Sequence, residues 1–284
     1  MTKEFCALYV VPTPLGNLGD ISQRATQILC AVDWVAAEDT RHSAPLLKHL
    51  GVQAKMLPAH QHNEHEAATR ILEKLQAGES VALISDAGTP GISDPGAKVV
   101  AAVHASGFPV IPLPGPCAAT TALSASGLLE AHFLFYGFLP AKAGQRRLAL
   151  ESLSTAPYAL VFYEAPHRVL ETVADMAQVL GDRTLVIARE LTKLFETIHR
   201  LPLAEALAWL EADPNRQRGE FVLMLSGAPA QNDNAEGTRV LKALLADGLP
   251  VKQAAKLAAT ITGSAKNALY DYAITLKNQD NSAE

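Results

Sequence analysis

The sequence predicts an α/β protein, and three observations support that fold class. Short apolar runs with strand character alternate with helix-length segments along the chain. One run, Val81–Ile84, is short and unbroken, which is typical of a central parallel strand covered on both faces. Polar clusters follow several of the predicted strands, at the positions where parallel sheets bind their ligands.

The segment from Val81 to Gly96 is the centre of this prediction. The apolar run stops at Ser85 and Asp86, and two glycine–proline turns follow before a helix that is predicted to open at Asp94 and Pro95. Glycine lets the backbone approach a ligand closely, and proline fixes a loop in advance. We therefore expect a ligand at Asp86 and the turn that follows it, with an ordinary strand-to-helix loop as the simpler alternative.

The composition is that of a globular protein of 284 residues, 49% of them hydrophobic. The net charge of −5 provides no overall cationic field, so a nucleic-acid partner would need a local basic patch. Cys6, Cys30 and Cys117 are scattered, which disfavours a disulfide framework or a zinc site and fits a reducing cytosol. The sequence has neither the length of apolar run for a membrane span nor a signal-peptide pattern, so we expect a cytoplasmic protein without a membrane partner.

In the first half, Leu8 to Pro12 is predicted as a strand, and Asp20 with Gln23 has the spacing of a capping box for the following helix. Asp33 to Ala37 is predicted as a second strand. Its end carries the polar cluster Glu38 to His42.

Three histidines, His60, His62 and His65, lie within six residues and raise the question of a metal site. Asn63 and Glu66 have the spacing of a helix cap and its reciprocal partner. A polar loop that faces the substrate is therefore favoured over a metal site, and no metal is predicted.

A later helix is composed almost entirely of small residues between Ala118 and Ser124, and Pro116 is predicted to lie in its first turn. Small side chains permit close packing, so we expect this helix to lie against a sheet or a ligand.

A second α/β unit is predicted from about Ala131. Polar clusters at Glu164 to Arg168 and at Arg189 to Lys193 follow two of its strands, as expected of a cleft. The predicted strands are Phe133 to Leu139, Ala159 to Tyr163, Thr184 to Ala188, an antiparallel Glu196 to Arg200, and Gly219 to Leu225.

Ala228 to Gly237 is predicted as a linker, followed by three short helices from Thr238, Pro250 and Ser264 with helix-turn-helix spacing. Basic residues outnumber acidic ones in this C-terminal segment. A packing or dimerisation module and an RNA contact fit that pattern about equally well.

Seven motifs in order, LYVVPTPLGNLGDIS, AAEDTRHS, HQHNEHE, SDAGTPGISDPG, PLPGPCAATTALSASGL, FYEAPHR and ARELTK, resemble the tetrapyrrole (corrin and porphyrin) methylase family, and within it the branch that acts on ribosomal RNA. The resemblance covers Leu8 to about Leu225 and the C-terminal helices. Asp86 would match the acidic residue of the family's Gly-Asp-Pro motif, which reads Ser85, Asp86, Ala87 here, and Cys117 stands where a serine is usual.

This resemblance implies two αβα domains, 1–128 and 129–228, with S-adenosylmethionine in the cleft between them, and a C-terminal three-helix module at 235–277. It also implies a homodimer that methylates the ribose 2′-hydroxyl of a cytidine in the decoding region of small-subunit ribosomal RNA. The residues expected to bind the cofactor are Pro14, Asp86, Ala87, Gly88, Ile92, Pro116, Cys117, Ala118, Tyr163 and Ala188.

A ribose hydroxyl is a poor nucleophile, so a general base is expected. The sequence leaves the choice open among Glu38, Asp39, Glu164, His167 and Glu190. Candidate RNA contacts are Arg41, His60, Arg168, Arg189, Lys193, Lys252, Lys256 and Lys266. Helix caps and ion pairs are the structural alternative for each of these residues.

Other functions remain as alternatives. A methylase of the same fold could act on a precorrin-like small molecule or on a protein side chain, and a non-catalytic RNA-binding factor could retain the cofactor. A nicotinamide dehydrogenase is disfavoured because no GxGxxG follows the first strand, and a P-loop hydrolase is disfavoured because its motif is missing from the sequence.

Overall fold

The structure is a computed structural model that describes residues 6–229 and 234–280. The chain divides into two compact units, Met1–Gly227 and Ala228–Glu284. The first unit contains two five-stranded sheets. Their strands are β1 Leu8–Val10, β2 Trp34–Ala37, β3 Lys55–Pro58, β4 Val81–Ile84, β5 Val110–Pro112, β6 Phe133–Phe138, β7 Ala159–Glu164, β8 Thr184–Arg189, β9 Thr197–Pro202 and β10 Phe221–Leu225.

The helices of the first unit connect these strands and cover the sheets. Two 3-10 helices, Leu18–Asp20 and Pro214–Gln217, accompany them. The α-helices are α1 Gln23–Ala31, α2 Thr40–His49, α3 Glu64–Gln76, α4 Ala97–Ala105, α5 Ala118–Ser124, α6 Ala143–Ser152, α7 Val169–Leu180 and α8 Leu203–Glu211.

The first sheet is entirely parallel, with the order β3-β2-β4-β1-β5. All four residues of β4 are buried at its centre, which confirms the prediction for Val81–Ile84. One apolar cluster, including Leu29 and Val35, covers one face, and another, including Ile71 and Val103, covers the other. The polar residues that follow β1, β2 and β4 consequently meet at one edge of the sheet.

The second sheet is mixed, with the order β6-β7-β10-β8-β9. Strands β6 and β7 are parallel, and the other pairs are antiparallel, including the predicted pairing of β9 with β8. One face packs on α6, α7 and α8 through residues such as Leu150, Met176 and Leu210. The other face packs on α5 through Ala119 and Ala122, so the helix of small residues does lie against a sheet.

The predicted capping box of α1 is wrong. Ser22 is the N-cap, and its hydroxyl accepts a hydrogen bond from the Ala25 N–H at 3.0 Å. Asp20 lies in the preceding 3-10 helix. A hydroxyl two residues later in the chain therefore caps the helix instead of the carboxylate.

The second predicted capping box is also wrong, although Asn63 does occupy the N-cap position of α3. Its side chain accepts a hydrogen bond from the His60 N–H at 2.8 Å and does not cap the helix. Glu66 pairs with Arg70 one turn later, at 2.6 Å.

Two helices begin later than the sequence predicted. Gly96 precedes α4 with φ of 135°, so Asp94 and Pro95 belong to the loop and not to the helix. Cys117 is the N-cap of α5, so Pro116 precedes the first turn. Strand β3 and helix α8 were not predicted.

The second unit consists of three helices, α9 Asn234–Ala246, α10 Val251–Thr262 and α11 Lys266–Asp280. They share a small apolar core that includes Leu241, Ala255 and Leu269. Helix α9 begins inside the predicted linker, part of which, residues 230–233, lies outside the described residues. Among the residues described here, no helix has the length and apolar character needed to cross a membrane.

Candidate active site

A cavity of about 430 Å³ lies at the carboxyl ends of β4 and β7, which is within the usual size range of small-molecule sites. Both sheets contribute to its wall. The lining residues are Leu15, Glu38, Asp86, Ala87, Gly88, Thr89, Ile92, Asp94, Cys117, Ala118, Phe138, Tyr163, Glu164, Ala165, Pro166, Leu191, Glu220, Phe221 and Val222.

Most of the predicted cofactor residues lie in this wall. Three of them, Pro14, Pro116 and Ala188, do not. Pro14 lines a neighbouring cavity of about 590 Å³ that shares Asp86 and Ala87 with the first. Ala188 is fully buried in the second sheet opposite Val222. The predicted residues that line the cavity are Asp86, Ala87, Gly88, Ile92, Cys117, Ala118 and Tyr163.

Hydrogen bonds tie together the three loops at this edge of the first sheet. Thr13 and Gly88 exchange two backbone hydrogen bonds of 2.9 Å. The Thr89 hydroxyl donates to the Pro116 carbonyl at 2.8 Å. The φ of 83° at Gly88 is in the left-handed region that favours glycine. The loops after β1 and β4 and the loop before α5 thus form one connected wall.

Helix α5 is joined to the second sheet at the same cavity. The Ala119 N–H donates to the Tyr163 hydroxyl at 3.0 Å. The Tyr163 ring packs edge-on against Phe135 and Phe138, with centroid distances of 4.9 and 5.7 Å. Burial raises the pKa of Tyr163 well above its ordinary value, so its phenol is neutral.

The cavity wall is acidic. Its described lining residues include Glu38, Asp86, Asp94, Glu164 and Glu220 but no lysine or arginine. Burial raises the pKa of Glu38 above its ordinary value, and the nearby Asp86 carboxylate adds to that shift. Burial, then the charge of Glu38, raises the pKa of Asp94 to about 6. A bound cation would relieve this repulsion.

Glu164 is already fully engaged within the protein. It accepts hydrogen bonds from the Ala165 N–H at 2.8 Å and the Thr172 hydroxyl at 2.6 Å, and it pairs with Arg168. Arg168 also donates to the Leu139 carbonyl at 2.7 Å. This pair of predicted site residues therefore fixes the turn between β7 and α7.

Two other candidate bases, Asp39 and Glu190, pair with the cationic side chains of Arg41 and Lys193. Hydrogen bonds from Arg41 lower the pKa of Asp39 to about 2. Burial alone would raise the pKa of Glu190, but the Glu220 N–H and the Lys193 ammonium hold it below its ordinary value. Both carboxylates are consequently weak proton acceptors.

The predicted RNA contacts occupy different environments. Arg189 donates to the Asn215 carbonyl at 2.9 Å and the Arg218 carbonyl at 3.1 Å. The Arg41 side chain is 91% exposed. His60, Lys252, Lys256 and Lys266 are also exposed, and the three lysines belong to the C-terminal unit. The candidate base His167 is exposed as well.

The sequence reasoning missed several lining residues, notably Asp94, Phe138 and Glu220. Asp94, within the ISDPG sequence, has the local pattern of a helix start, and Phe138 that of an ordinary strand residue. No group of three histidine, cysteine, aspartate or glutamate side chains within the described residues could hold a metal.

The sequence matches the family of tetrapyrrole (corrin/porphyrin) methylases over residues 7–207. The chain belongs to this family. Residues 231–277 match the RsmI C-terminal HTH domain. The Escherichia coli O157:H7 relative, named ribosomal RNA small subunit methyltransferase I, is 53% identical over 270 residues and 94% of each chain. The Pseudomonas aeruginosa relative of that name is 54% identical over 272 residues, which cover 94% of this chain and 96% of the relative.

Solved tetrapyrrole methylases have the same fold. Cobalt precorrin-4 methyltransferase is 15% identical with a TM-score of 0.58, and the match covers 79% of this chain and 96% of that one. A second neighbour is uroporphyrin-III C-methyltransferase from Thermus thermophilus, complexed with S-adenyl homocysteine. It is 18% identical with a TM-score of 0.54, and the match covers 78% of this chain and 97% of that one. The predicted fold class is confirmed, and this member of the tetrapyrrole methylase family is a methyltransferase.

Proposed function

We propose that the protein transfers a methyl group from S-adenosylmethionine to the ribose 2′-hydroxyl of a cytidine in the decoding region of small-subunit ribosomal RNA. The name of the relatives, ribosomal RNA small subunit methyltransferase I, supports the ribosomal RNA substrate, and the motif resemblance supports the finer choice of nucleotide and atom.

The observation that carries this proposal is the acidic cavity at the carboxyl ends of the strands, whose described lining holds no lysine or arginine. S-adenosylmethionine carries positive charge on its sulfonium and its amino group. Carboxylates such as Asp86 and Glu38 suit both cations. The apolar part of the wall, including Ile92 and Phe138, suits a flat heterocycle.

The fit extends to the backbone of the loops. The residues that would hold the cofactor are those of the Asp86–Ile92 loop, together with Cys117, Ala118 and Tyr163. Their chain segments are already tied to each other by hydrogen bonds, so little ordering accompanies binding. When bound, the cofactor supplies an electrophilic methyl group. The protein then aligns the acceptor oxygen with that methyl and excludes water.

RNA contacts are proposed outside the cavity, because its acidic wall repels phosphate. Exposed Arg41, in the first turn of α2, could contact the RNA backbone, as could Lys252 and Lys256, which lie one turn apart on α10. Arg168 and Arg189 are less suited to this role because protein carbonyls already accept their hydrogen bonds.

We also propose a homodimer in the cytoplasm. Strand β6 lies at the edge of its sheet and exposes Phe133, Tyr136 and Phe138, which favours an apolar partner. The three cysteines are free, as expected in a reducing compartment. Light scattering of the purified protein measures the oligomeric state directly.

The test of the proposed function is incubation of the protein with tritiated S-adenosylmethionine and small ribosomal subunits from a strain that lacks the activity. We expect label on a ribose 2′-oxygen in the decoding region after nuclease mapping. Deletion of residues 228–284 should retain calorimetric cofactor binding and abolish labelling. Cofactor binding without label on subunits would contradict the proposal and favour a small-molecule or protein substrate.

A further inference from the structure

We propose that Asp94 is the proton acceptor for the ribose hydroxyl, an inference that rests on the proposed function. Asp94 lines the cavity from the loop between β4 and α4. It lies outside the set of candidate bases that the sequence suggested. The observations that select it are its place in the wall, its rigid loop and the engagement of the competing carboxylates.

The loop around Asp94 is anchored on both sides. Ser93, immediately before it, has a left-handed φ of 65° and packs against Gly137 of the second sheet. Gly96, two residues after it, donates its N–H to the buried Glu64 at 2.8 Å. A non-glycine residue in the left-handed region is uncommon and concentrates at functional sites. The carboxylate of Asp94 is thus held at a defined position in the cavity.

The other carboxylates of the wall are bound to donors that a proton acceptor would have to release. Glu164 holds Thr172 and Arg168, and Glu220 pairs with Lys193 at 2.8 Å. Asp86 accepts the Asp39 N–H at 3.1 Å.

Glu38 is the remaining competitor, and it accepts the Asp86 N–H at 3.4 Å. At Asp94, burial and the like charges of Glu38, Asp86 and Glu220 raise the pKa, and a hydrogen bond from Ser85 opposes that shift. The neutral Tyr163 lies nearby. Its pKa of about 6 allows it to be ionised at neutral pH and still to take up a proton.

The methyl transfer conserves atoms and charge. The ribose oxygen bonds to the methyl carbon while the carbon–sulfur bond breaks, and the bonding pair remains on sulfur. The hydroxyl proton passes to the Asp94 carboxylate. Protonated Asp94 then returns the proton to solvent, and the neutral thioether and the methylated ribose leave.

The test compares Asp94→Asn with Asp182→Asn, an identical chemical change at an exposed turn that lines neither cavity. We expect Asp94→Asn to lower kcat on small subunits by about 100-fold or more. Its KM for subunits and its calorimetric Kd for S-adenosylmethionine should change by less than about threefold, a split that a general loss of structure would not produce.

The pH profile provides the second readout. Wild-type kcat should fall about tenfold per pH unit below pH 6, and this acid limb should vanish in Asp94→Asn. Asp94→Glu should fold, bind the cofactor and retain the limb, which keeps the test decisive if the asparagine variant does not fold. Retention of wild-type kcat, persistence of the limb, or loss of cofactor binding in Asp94→Asn would each overturn the assignment. A wild-type protein that binds cofactor but labels no subunit would contradict the proposed function instead.

Discussion

Ser93 and Gly137 approach so closely that a Cβ on Gly137 would lie 2.7 Å from the Ser93 Oγ. Ser93 lies in the loop between β4 of the first sheet and α4. Gly137 lies in the second sheet, where the register of β6 against β7 shifts. Gly137 has a φ of 78°, which a side chain rarely permits. The irregularity in β6 therefore creates the space that lets a loop of one sheet rest on the other beside the cavity.

Gly137→Ala should displace this loop. The added methyl combines a steric clash with an unfavourable φ, so we expect the free energy of unfolding to fall by about 1–3 kcal/mol. Cofactor affinity should weaken as well, because Ile92, which immediately precedes Ser93, lines the cavity. Urea denaturation and calorimetry measure the two effects.

The matched control is Gly144→Ala in helix α6, where a Cβ would meet open space. Alanine should stabilise that helix by up to about 1 kcal/mol. Equal effects of the two substitutions would show that the Ser93 contact is unimportant.

Arg146 is expected to be structural despite its basic sequence context. It is 1% exposed and bonds to Asp175 at 2.6 Å and to Glu171 at 3.3 Å. Arg146→Ala leaves Asp175 buried with only part of its charge compensated, so the free energy of unfolding should fall by about 3–5 kcal/mol. Arg147 also contacts Asp175, but its side chain is 43% exposed. Arg147→Ala should therefore lower the free energy of unfolding by less than about 1 kcal/mol. Denaturant titrations that rank the two variants in the opposite order would contradict this interpretation.

The contrast between Asp86 and Arg146 shows what could be predicted from the sequence. Asp86 ends a short apolar strand, and that local pattern is enough to predict its position at the edge of a parallel sheet. The role of Arg146 depends on Asp175, which is 29 residues away on another helix. Such a pairing leaves no local signal.

Asp94 was missed for a related reason. The Ser-Asp-Pro sequence is typical of a helix start, and this local pattern predicted a helix at Asp94. The contacts of Gly96 with Glu64 and of Ser93 with Gly137 delay the helix to Ala97. Long-range packing thus converted a helix-start signal into a loop that faces the cavity.

Tyr163 should contribute to stability through its hydroxyl. Tyr163→Phe removes the acceptor of the Ala119 N–H at the beginning of α5. We expect the free energy of unfolding to fall by about 1–2 kcal/mol. Tyr136→Phe is the matched control, since Tyr136 is 39% exposed in the adjacent strand and should change stability by less than about 0.5 kcal/mol. Thermal unfolding of both variants measures the difference, and equal melting temperatures would argue against the role of the hydroxyl.

Asp94→Asn should make the protein more stable at high pH while it impairs catalysis. The folded-state pKa of Asp94, about 6, lies above its ordinary value of 3.8, so the folded protein binds the proton more tightly than the unfolded chain does. Ionisation of Asp94 therefore does not lower the free energy of unfolding below about pH 4. The loss grows as the pH rises and is complete above about pH 6. The full shift corresponds to about 3 kcal/mol, which partial exposure of the side chain reduces to about 1–2 kcal/mol.

Urea titrations at pH 4 and pH 8 should consequently show Asp94→Asn equal to the wild type at the lower pH and more stable by this amount at the higher one. Asp182→Asn should match the wild type at both. A carboxylate that is kept ionised among Glu38, Asp86 and Glu220 at a cost in stability is what a proton transfer requires, because the repulsion that destabilises the empty cavity strengthens the attraction of Asp94 for the proton. A gain in stability that is independent of pH would instead assign the effect to packing of the asparagine and remove the electrostatic basis for the role of Asp94.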